Sequence, residues 1–171
     1  IELDVYADDI VPAVSEGPFA LSKDTIDSIA PIRILSFDIE CIPFDGKKGR
    51  FPVADLDPVI CVSFYTIQQG FPELSCAFSW GEEAAPLPCG AETYIYPDEK
   101  CMFGGIARFV RATDPDIVTG YNINGFDIPY LMNRAKVIGV YDTDFGELSR
   151  KIGKNCFPIP TTFKSRAQGT K

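Results

Sequence analysis

The sequence contains no histidine, and none of its six cysteines forms a Cys-x-x-Cys pair. Without histidine, neither a Ser-His-Asp nor a Cys-His catalytic group is available within the chain. Isolated thiols without histidine partners also argue against a structural zinc site. The cysteines therefore favour free thiols in a reducing compartment, at Cys41, Cys61, Cys76, Cys89, Cys101 and Cys156.

Long apolar runs are missing as well. No run of about 18 consecutive apolar residues occurs, so the sequence predicts no membrane span. No basic segment followed by an apolar one opens the chain as a signal peptide would. The first residue is isoleucine, and we expect a piece of a longer protein. A length of 171 residues with 46% hydrophobic and 23% charged residues is typical of a globular domain.

Positive charge is scarce until the end of the chain. Residues 1–30 hold seven acids and one lysine, a net charge of −6, and residues 31–145 carry a net charge of −7. The overall net charge of −8 argues against nucleic-acid binding, because phosphate contacts need lysine and arginine. The stretch from Arg150 to Lys171 lies in a segment with a net charge of +5. It could contact a polyanion or be a solvated tail, and composition does not decide between them.

The hydrophobic pattern predicts an α/β fold with a mixed β-sheet. A helix is predicted to open at Pro97-Asp98-Glu99, and another runs from Asp127 to Gly139. Residues 1–31 are acidic and contain three prolines, so they predict a strap or linker from a preceding domain. Residues 32–171 hold the elements of the fold. The predicted strands are residues 32–40, 59–67, 74–80, 92–96 and 116–120.

Two acids interrupt the first predicted strand. The segment ILSFDIEC, residues 34–41, reads as a buried strand, yet Asp38 and Glu40 fall within it. Side chains two residues apart share one face of a strand and lie about 6.6 Å apart along it. Burying unpaired carboxylates is costly. An arginine or lysine from elsewhere, a shared proton or a bound metal ion would relieve that cost.

A third acid follows in GYNINGFDIPYL, residues 120–131, which links a predicted strand to a helix. Asp127 would lie where α/β proteins place their functional loops. It also has a simpler interpretation as a helix cap worth ~1 kcal/mol, and Pro129 suits the first helical turn. Together with Asp38 and Glu40, however, Asp127 would form an all-oxygen site of the kind that binds magnesium, manganese or calcium.

These two acidic segments resemble the first and second exonuclease motifs of family B DNA polymerases. The resemblance runs from Ile29 to Lys171 and is weaker over residues 68–96 and 139–163. It implies a ribonuclease H-like fold and a 3′→5′ proofreading exonuclease of a replicative polymerase, located in the nucleus or at a viral replication site. The segments that carry it are IAPIRILSFDIEC, KKGRFP, DPVI, DPDIVTGYNINGFDIPYL and SRAQGTK.

The resemblance also implies roles for individual residues. Asp38 would bridge two divalent ions, magnesium or manganese, while Glu40 would bind one of them and help to orient a water molecule. Asp127 would hold the second ion. Asn122 and Phe126 would contact the frayed single-stranded 3′ end of DNA. From the residues alone, Asn122 could simply be a turn residue, and Phe126 would more often be a core residue.

The chain departs from the family pattern at the third motif. The family uses a fourth carboxylate, from a Tyr-x-x-x-Asp motif downstream of the second motif. The spacing occurs only from Tyr94 to Asp98, which precedes Asp127 and contains Pro97, and there it predicts a strand-to-helix corner. We therefore expect the N-terminal part of an exonuclease domain, a poor nuclease and weak metal binder by itself. Its partners would be the remaining polymerase domains and accessory subunits.

Two other functions stay open. The fold could be retained as a non-catalytic scaffold in a polymerase relative, or the protein could be a metal-dependent phosphoesterase with another substrate. Intact acids at positions 38, 40 and 127, which we expect to be buried, argue against a scaffold, because a scaffold has no need of buried like charges. A Tyr-x-x-x-Asp motif beyond Lys171 would favour a nuclease. Hydrolysis of small phosphoesters but not of single-stranded DNA would favour the phosphoesterase.

Overall fold

The computed structural model describes residues 29–43, 50–82, 90–146, 148 and 150. Of the predicted strap over residues 1–31, only the last three residues lie in the described part, so that boundary stays a prediction. No helix in the described ranges is long and apolar enough to cross a membrane. The elements are β1 (Arg33–Cys41), β2 (Val59–Gln68), β3 (Leu74–Trp80), β4 (Glu92–Tyr96), α1 (Glu99–Thr113), β5 (Ile117–Thr119), α2 (Asp127–Val137) and a π-helical segment (Tyr141–Phe145).

The strands form one mixed sheet in the order β4-β3-β2-β1-β5. β1 and β3 both run antiparallel to β2, whereas β5 pairs parallel to β1 and β4 pairs parallel to β3. Such parallel pairs need a crossover, and α1 lies in the connection that leads to β5. The α/β fold with a mixed sheet is thereby confirmed.

The helices pack against one face of the sheet. Leu35, Phe37 and Ile39 of β1 are buried there, and they alternate with more exposed neighbours as a strand with one covered face requires. Phe109 of α1 packs its ring 5.0 Å from that of Phe64, which lies on β2. Burying a side chain of this size stabilises the fold by about 1.5–3 kcal/mol. The largest fully buried side chains include Leu35, Val59, Val62, Met102, Phe103, Ile106 and Phe145.

Asp38 and Glu40 are exposed, so the prediction of two acids inside a buried strand is wrong. Both point to the face of β1 opposite Leu35, Phe37 and Ile39. Among the described residues, no helix covers that face, and the two carboxylates are open to solvent. The segment is a half-buried strand with period-two alternation, and its short apolar run resembled a fully buried one.

A close approach at Gly120 brings the second acidic segment beside β1. β5 ends at Thr119, opposite Ser36, and the chain then turns past the next part of β1. A Cβ atom at Gly120 would lie 2.5 Å from the carbonyl oxygen of Phe37, which is closer than real Cβ atoms come. Only glycine therefore lets the turn at residues 120–126 pass next to the acidic half of β1.

Candidate active site

Asp127 is the buried member of the acidic group, with 2% of its surface exposed. Its Oδ1 accepts a hydrogen bond of 3.2 Å from the backbone N–H of Ile39. The β1–β5 ladder ends at Ser36, so β5 does not pair with this amide. Asp127 thus contacts β1 between Asp38 and Glu40. Its carboxylate accepts the Ile39 N–H, which has no partner in β5.

The helix-cap interpretation of Asp127 is wrong. Phe126 is the N-cap residue of α2 and makes no side-chain capping bond, while Asp127 is the first helical residue. The preceding turn supplies an acceptor for the first turn of α2 instead. The carbonyl oxygen of Ile123 accepts a hydrogen bond of 2.9 Å from the backbone N–H of Ile128. A negative charge in the first turn suits the helix dipole. The carboxylate itself, however, reaches beyond the helix and accepts the N–H of Ile39 from β1.

Burial raises the pKa of Asp127 above the ordinary value of 3.8, and the negative charge of Asp38 acts in the same direction. Hydrogen bonds from the backbone N–H groups of Asp127 and Ile39 oppose this rise. Asp38 and Asp127 are therefore close enough to interact, although one is exposed and the other buried. Burial also raises the pKa of the Cys41 thiol to about 11, so this neighbour is a neutral thiol at pH 7.

The donor chemistry fits a hard divalent cation. Asp38, Glu40 and Asp127 offer only carboxylate oxygens, the ligands that magnesium and manganese prefer, and burial raises the pKa of the neighbouring thiols Cys41 and Cys61, which disfavours thiolate ligands. Two of the three carboxylates are accessible from solvent. Within the described residues, no three acidic or cysteine side chains are gathered closely enough to hold an ion. The structure brings Asp127 to the β1 acids without converging all three on one point.

Asn122 holds the turn that precedes α2. Its backbone has a φ of 53°, a left-handed conformation that asparagine tolerates better than most residues. Its carbonyl oxygen accepts the N–H groups of Gly125 at 2.9 Å and Phe126 at 3.0 Å. Its exposed side chain lies close to Gly125, where a Cβ atom would come within 2.4 Å of the asparagine Oδ1 unless that side chain moved. Asn122 is thus a turn residue, and its contact with DNA stays a prediction.

Phe126 is half-buried beside the acids. Its ring centroid lies 5.3 Å from that of Phe51 in an edge-to-face arrangement and 5.4 Å from that of Tyr130. Phe51 lies in the loop before β2, and 71% of its surface is exposed. Phe126 therefore packs as part of an aromatic group with one open end, and its role toward DNA stays a prediction as well.

A polar groove of about 440 Å³ lies on the open face of the sheet and includes Asp38. Volumes of roughly 300–1,000 Å³ are usual for small-ligand sites. Tyr121, at its edge, is 92% exposed. The groove gives a ligand room beside the acid, and its other polar lining residues are Ser36, Ser63, Tyr65 and Ser75.

The Tyr94–Asp98 spacing is a strand-to-helix corner, as predicted. Tyr94 lies on β4, and Asp98 is the N-cap of α1, where its Oδ1 accepts the N–H of Cys101 at 2.7 Å. Asp98 thus caps the first turn of α1, and Tyr94 belongs to the preceding strand.

The basic stretch from Arg150 to Lys171 falls almost entirely outside the described residues. Arg150 itself contacts Asp114 at 2.6 Å and Asp116 at 2.9 Å. Its charge is therefore already paired, and the proposed role of the stretch in binding a polyanion stays a prediction.

Sequence reasoning missed the polar side chains that hold α2 in place. Tyr130 and Arg134 follow Asp127 by three and seven residues, so all three share one face of the helix. Their partners include Glu99 at the start of α1 and the carbonyl oxygen of Asp57. The helical spacing was a usable signal for a common face, but nothing local in the sequence identified these partners.

The raised pKa of Asp127 predicts a pH-dependent cost to stability. The folded state binds a proton on this carboxyl group more tightly than the unfolded state does, because folding raises its pKa. The resulting contribution to the free energy of unfolding is fully present below the unfolded pKa, and it is lost as the pH rises through the folded pKa. Asp127→Asn keeps an acceptor for Ile39 but does not titrate. Without metal, the variant is expected to be more stable than the wild type at pH 7, with the difference shrinking toward pH 3. Urea unfolding across this range checks it, and a wild type that gains stability over the variant as the pH rises would contradict it.

The comparisons with known proteins agree on one family. The model of the DNA polymerase family B exonuclease domain matches residues 1–169. The DNA polymerase delta catalytic subunit of Drosophila melanogaster is 42% identical over 147 residues, which are 85% of this chain and 12% of that protein. The bovine delta catalytic subunit is 37% identical over the whole chain, which spans 14% of its length.

Two further similarities are to a fungal delta catalytic subunit and to a solved archaeal polymerase. The delta catalytic subunit of Schizosaccharomyces pombe is 35% identical, again over the whole chain and 15% of its own length. A solved family B DNA polymerase from Pyrobaculum calidifontis is 33% identical and superposes with a TM-score of 0.45, covering 64% of this chain and 12% of that one. This chain thus spans about 12–15% of the length of these relatives.

Proposed function

Because the chain belongs to the exonuclease domains of DNA polymerase family B, we propose that it forms part of the 3′→5′ proofreading exonuclease of a replicative, delta-type polymerase. The reaction is hydrolysis of the terminal phosphodiester of a single-stranded DNA end. The conclusion rests on one structural observation above all. Asp127, from a different element, is inserted against β1 between the two exposed acids Asp38 and Glu40.

The three carboxylates are the residues that would hold divalent ions, magnesium or manganese. Such ions, when bound, stabilise the negative charge that develops on the attacking and leaving oxygens of a phosphodiester. Asp38 and Glu40 present their carboxylates toward solvent, where a phosphate can approach. Asp127 is held in place by the Ile39 amide. Burial raises the pKa of Asp127, the negative charge of Asp38 adds to the rise, and a bound cation would favour the ionised form.

The neighbouring surface supports a nucleotide substrate. The groove beside Asp38 is lined by hydroxyl groups, which donate hydrogen bonds to phosphate and sugar oxygens without adding charge. Asn122 and Phe126 flank the start of α2, and we propose that they contact the frayed 3′ end. The exposed ring of Phe51 beside Phe126 gives that contact an aromatic surface.

The wider setting follows from the same proposal. The chain would be the N-terminal part of the exonuclease domain, preceded by a strap over residues 1–31. The remaining polymerase domains and accessory subunits would be its partners, the 3′ end of DNA its substrate and the nucleus its location. The delta catalytic subunits that it resembles support this assignment.

The function is tested by digestion of DNA labelled at either end, in the polymerase that carries this domain. We expect release of nucleoside monophosphates from the 3′ end of a single strand, dependent on magnesium or manganese. A mismatched primer terminus should be digested faster than a paired one. Release from the 5′ end would contradict the proposal.

The same assay separates the two alternatives. A non-catalytic scaffold predicts no metal-dependent digestion at all while polymerisation proceeds. A phosphoesterase with another substrate predicts hydrolysis of p-nitrophenyl phosphate and little release from single-stranded DNA. The buried Asp127 argues against the scaffold, because a buried carboxylate with a raised pKa lowers stability unless a bound ion offsets it.

A further inference from the structure

One face of α2 carries three polar anchors. Asp127, Tyr130 and Arg134 lie at positions i, i+3 and i+7 of the helix, so they point in nearly the same direction. Asp127 accepts the N–H of Ile39 from β1. The hydroxyl of Tyr130 donates to the carbonyl oxygen of Asp57, in the loop before β2, at 2.9 Å. The helix is therefore attached by hydrogen bonds at the edge where the candidate active site lies.

Arg134 makes the most extensive of these attachments. Its Nε and Nη2 donate to the two carboxylate oxygens of Glu99 at 2.9 and 2.8 Å, a bidentate pair. Its Nη1 donates to the carbonyl oxygen of Ala54 at 3.0 Å. The side chains of Arg134 and Glu99 are only 11% and 10% exposed. Water competes weakly for such a pair, and its planar fork fixes orientation as well as distance.

Glu99 is a junction between three elements. It is the first residue of α1, it receives Arg134 from α2, and its Oε1 also accepts the backbone N–H of Val59 at the start of β2 at 2.8 Å. Val59 is fully buried, so this end of the junction belongs to the rigid core. The Glu99 carboxylate thus fixes the position of α2 relative to the sheet. It does so through Arg134, which lies two helical turns after Asp127.

We propose that Arg134 and Glu99 are positioning residues that set where the Asp127 carboxylate lies relative to Asp38 and Glu40. The proposal rests on the assigned role of Asp127 in the exonuclease. Asp127 has its own bond to β1, but that bond of 3.2 Å is long for an N–H···O contact. A small rotation of α2 would break it. The bidentate pair lies further along the same helix face and restricts that rotation.

The Ile39 amide reports the position of Asp127 directly, because its hydrogen bond goes to that carboxylate. Arg134→Lys keeps the charge but cannot form the bidentate pair. In the 171-residue chain without metal, we expect amide hydrogen exchange at Ile39 to become at least about tenfold faster than in the wild type. Amides in the β2–β3 ladder should exchange at unchanged rates. Glu99→Gln, which keeps an acceptor for Val59, should give an intermediate increase.

Ile106→Val is the matched control, because it removes a buried methylene from α1 without touching the polar anchors. It should lower global stability and leave the ratio of Ile39 exchange to β2–β3 exchange as it is in the wild type. If Arg134→Lys gives the same unchanged ratio, the pair is only a stabilising contact and the proposal is overturned. If Arg134→Lys and Ile106→Val both fold poorly, the ratio of Ile39 exchange to β2–β3 exchange is measured for Glu99→Gln at a lower temperature.

A second readout separates positioning from the proposed function. In the polymerase that carries this domain, Arg134→Lys should lower kcat for 3′ digestion by about tenfold or more, with KM and the polymerisation rate unchanged. Faster Ile39 exchange with an unaltered kcat would contradict the role of Asp127 in catalysis and leave its positioning by Arg134 intact. Unaltered exchange would contradict the positioning whatever the kinetics show.

Discussion

Asp38→Ala is expected to lower 3′→5′ exonuclease activity by about 10³-fold or more while polymerisation continues at its normal rate. Asp38 lies on the open face of β1, next to both Glu40 and the buried Asp127, so it is the carboxylate best placed to share ions with the other two. Removing one member of a group that acts as a unit costs orders of magnitude in rate. Digestion of a 3′-labelled single strand beside primer extension by the same preparation measures both activities.

The stability of the Asp38→Ala variant separates chemistry from folding. The side chain is exposed, so the free energy of unfolding should change by less than about 0.5 kcal/mol. Asp142→Ala, which removes an exposed acid from the π-helical segment, is the matched control and should keep full exonuclease activity. Near-normal digestion by Asp38→Ala would refute the assignment. A large loss of stability would show instead that Asp38 belongs to a structural ion pair.

Asp127→Asn is expected to abolish digestion to a similar extent for a different reason. The amide oxygen can still accept the Ile39 N–H, so α2 should keep its place on β1. The negative charge is lost, and with it the attraction of this position for a divalent ion. Exonuclease activity should therefore fall on the order of 10³-fold, whereas metal-free stability at pH 7 rises. Opposite changes in activity and stability are typical of a residue kept for function.

Asn133→Ala provides the control on the same helix, because Asn133 is exposed on another face of α2. It should leave both digestion and the Ile39 amide unchanged. If Asp127→Asn retains more than about a tenth of wild-type digestion, its charge is not needed. Asp127 would then be a structural acceptor for the Ile39 amide and no more.

Much of the fold could be predicted from the sequence because its signals are local. The β-branched and aromatic runs of β2 and the alternation of Leu35, Phe37 and Ile39 in β1 are period-two patterns. The polar, glycine-containing turn after β5 marked the start of α2. These features depend on neighbours along the chain, and the structure confirms the elements they predicted.

The errors concern contacts between distant residues. Asp38 and Glu40 were expected to be buried, and whether a strand is covered on one face or two depends on helices elsewhere in the chain. Asp127 was weighed as a cap, whereas its carboxylate bonds to Ile39, which lies 88 residues earlier. Arg134 and Glu99 lie on different helices, and no local spacing connects them. Such long-range polar contacts follow from the fold and become visible only with it.

The most direct test of the central claim is to find where a divalent ion binds. Paramagnetic manganese added to the 171-residue chain broadens the amide signals of residues near it, even when binding is weak. The account predicts that signals of Asp38, Ile39, Glu40 and Asp127 broaden at the lowest manganese concentrations, and that Asp38→Ala or Asp127→Asn shifts the effect to higher concentrations. Broadening centred on other acids, such as Asp98 or Asp142, with these four signals unaffected, would contradict it.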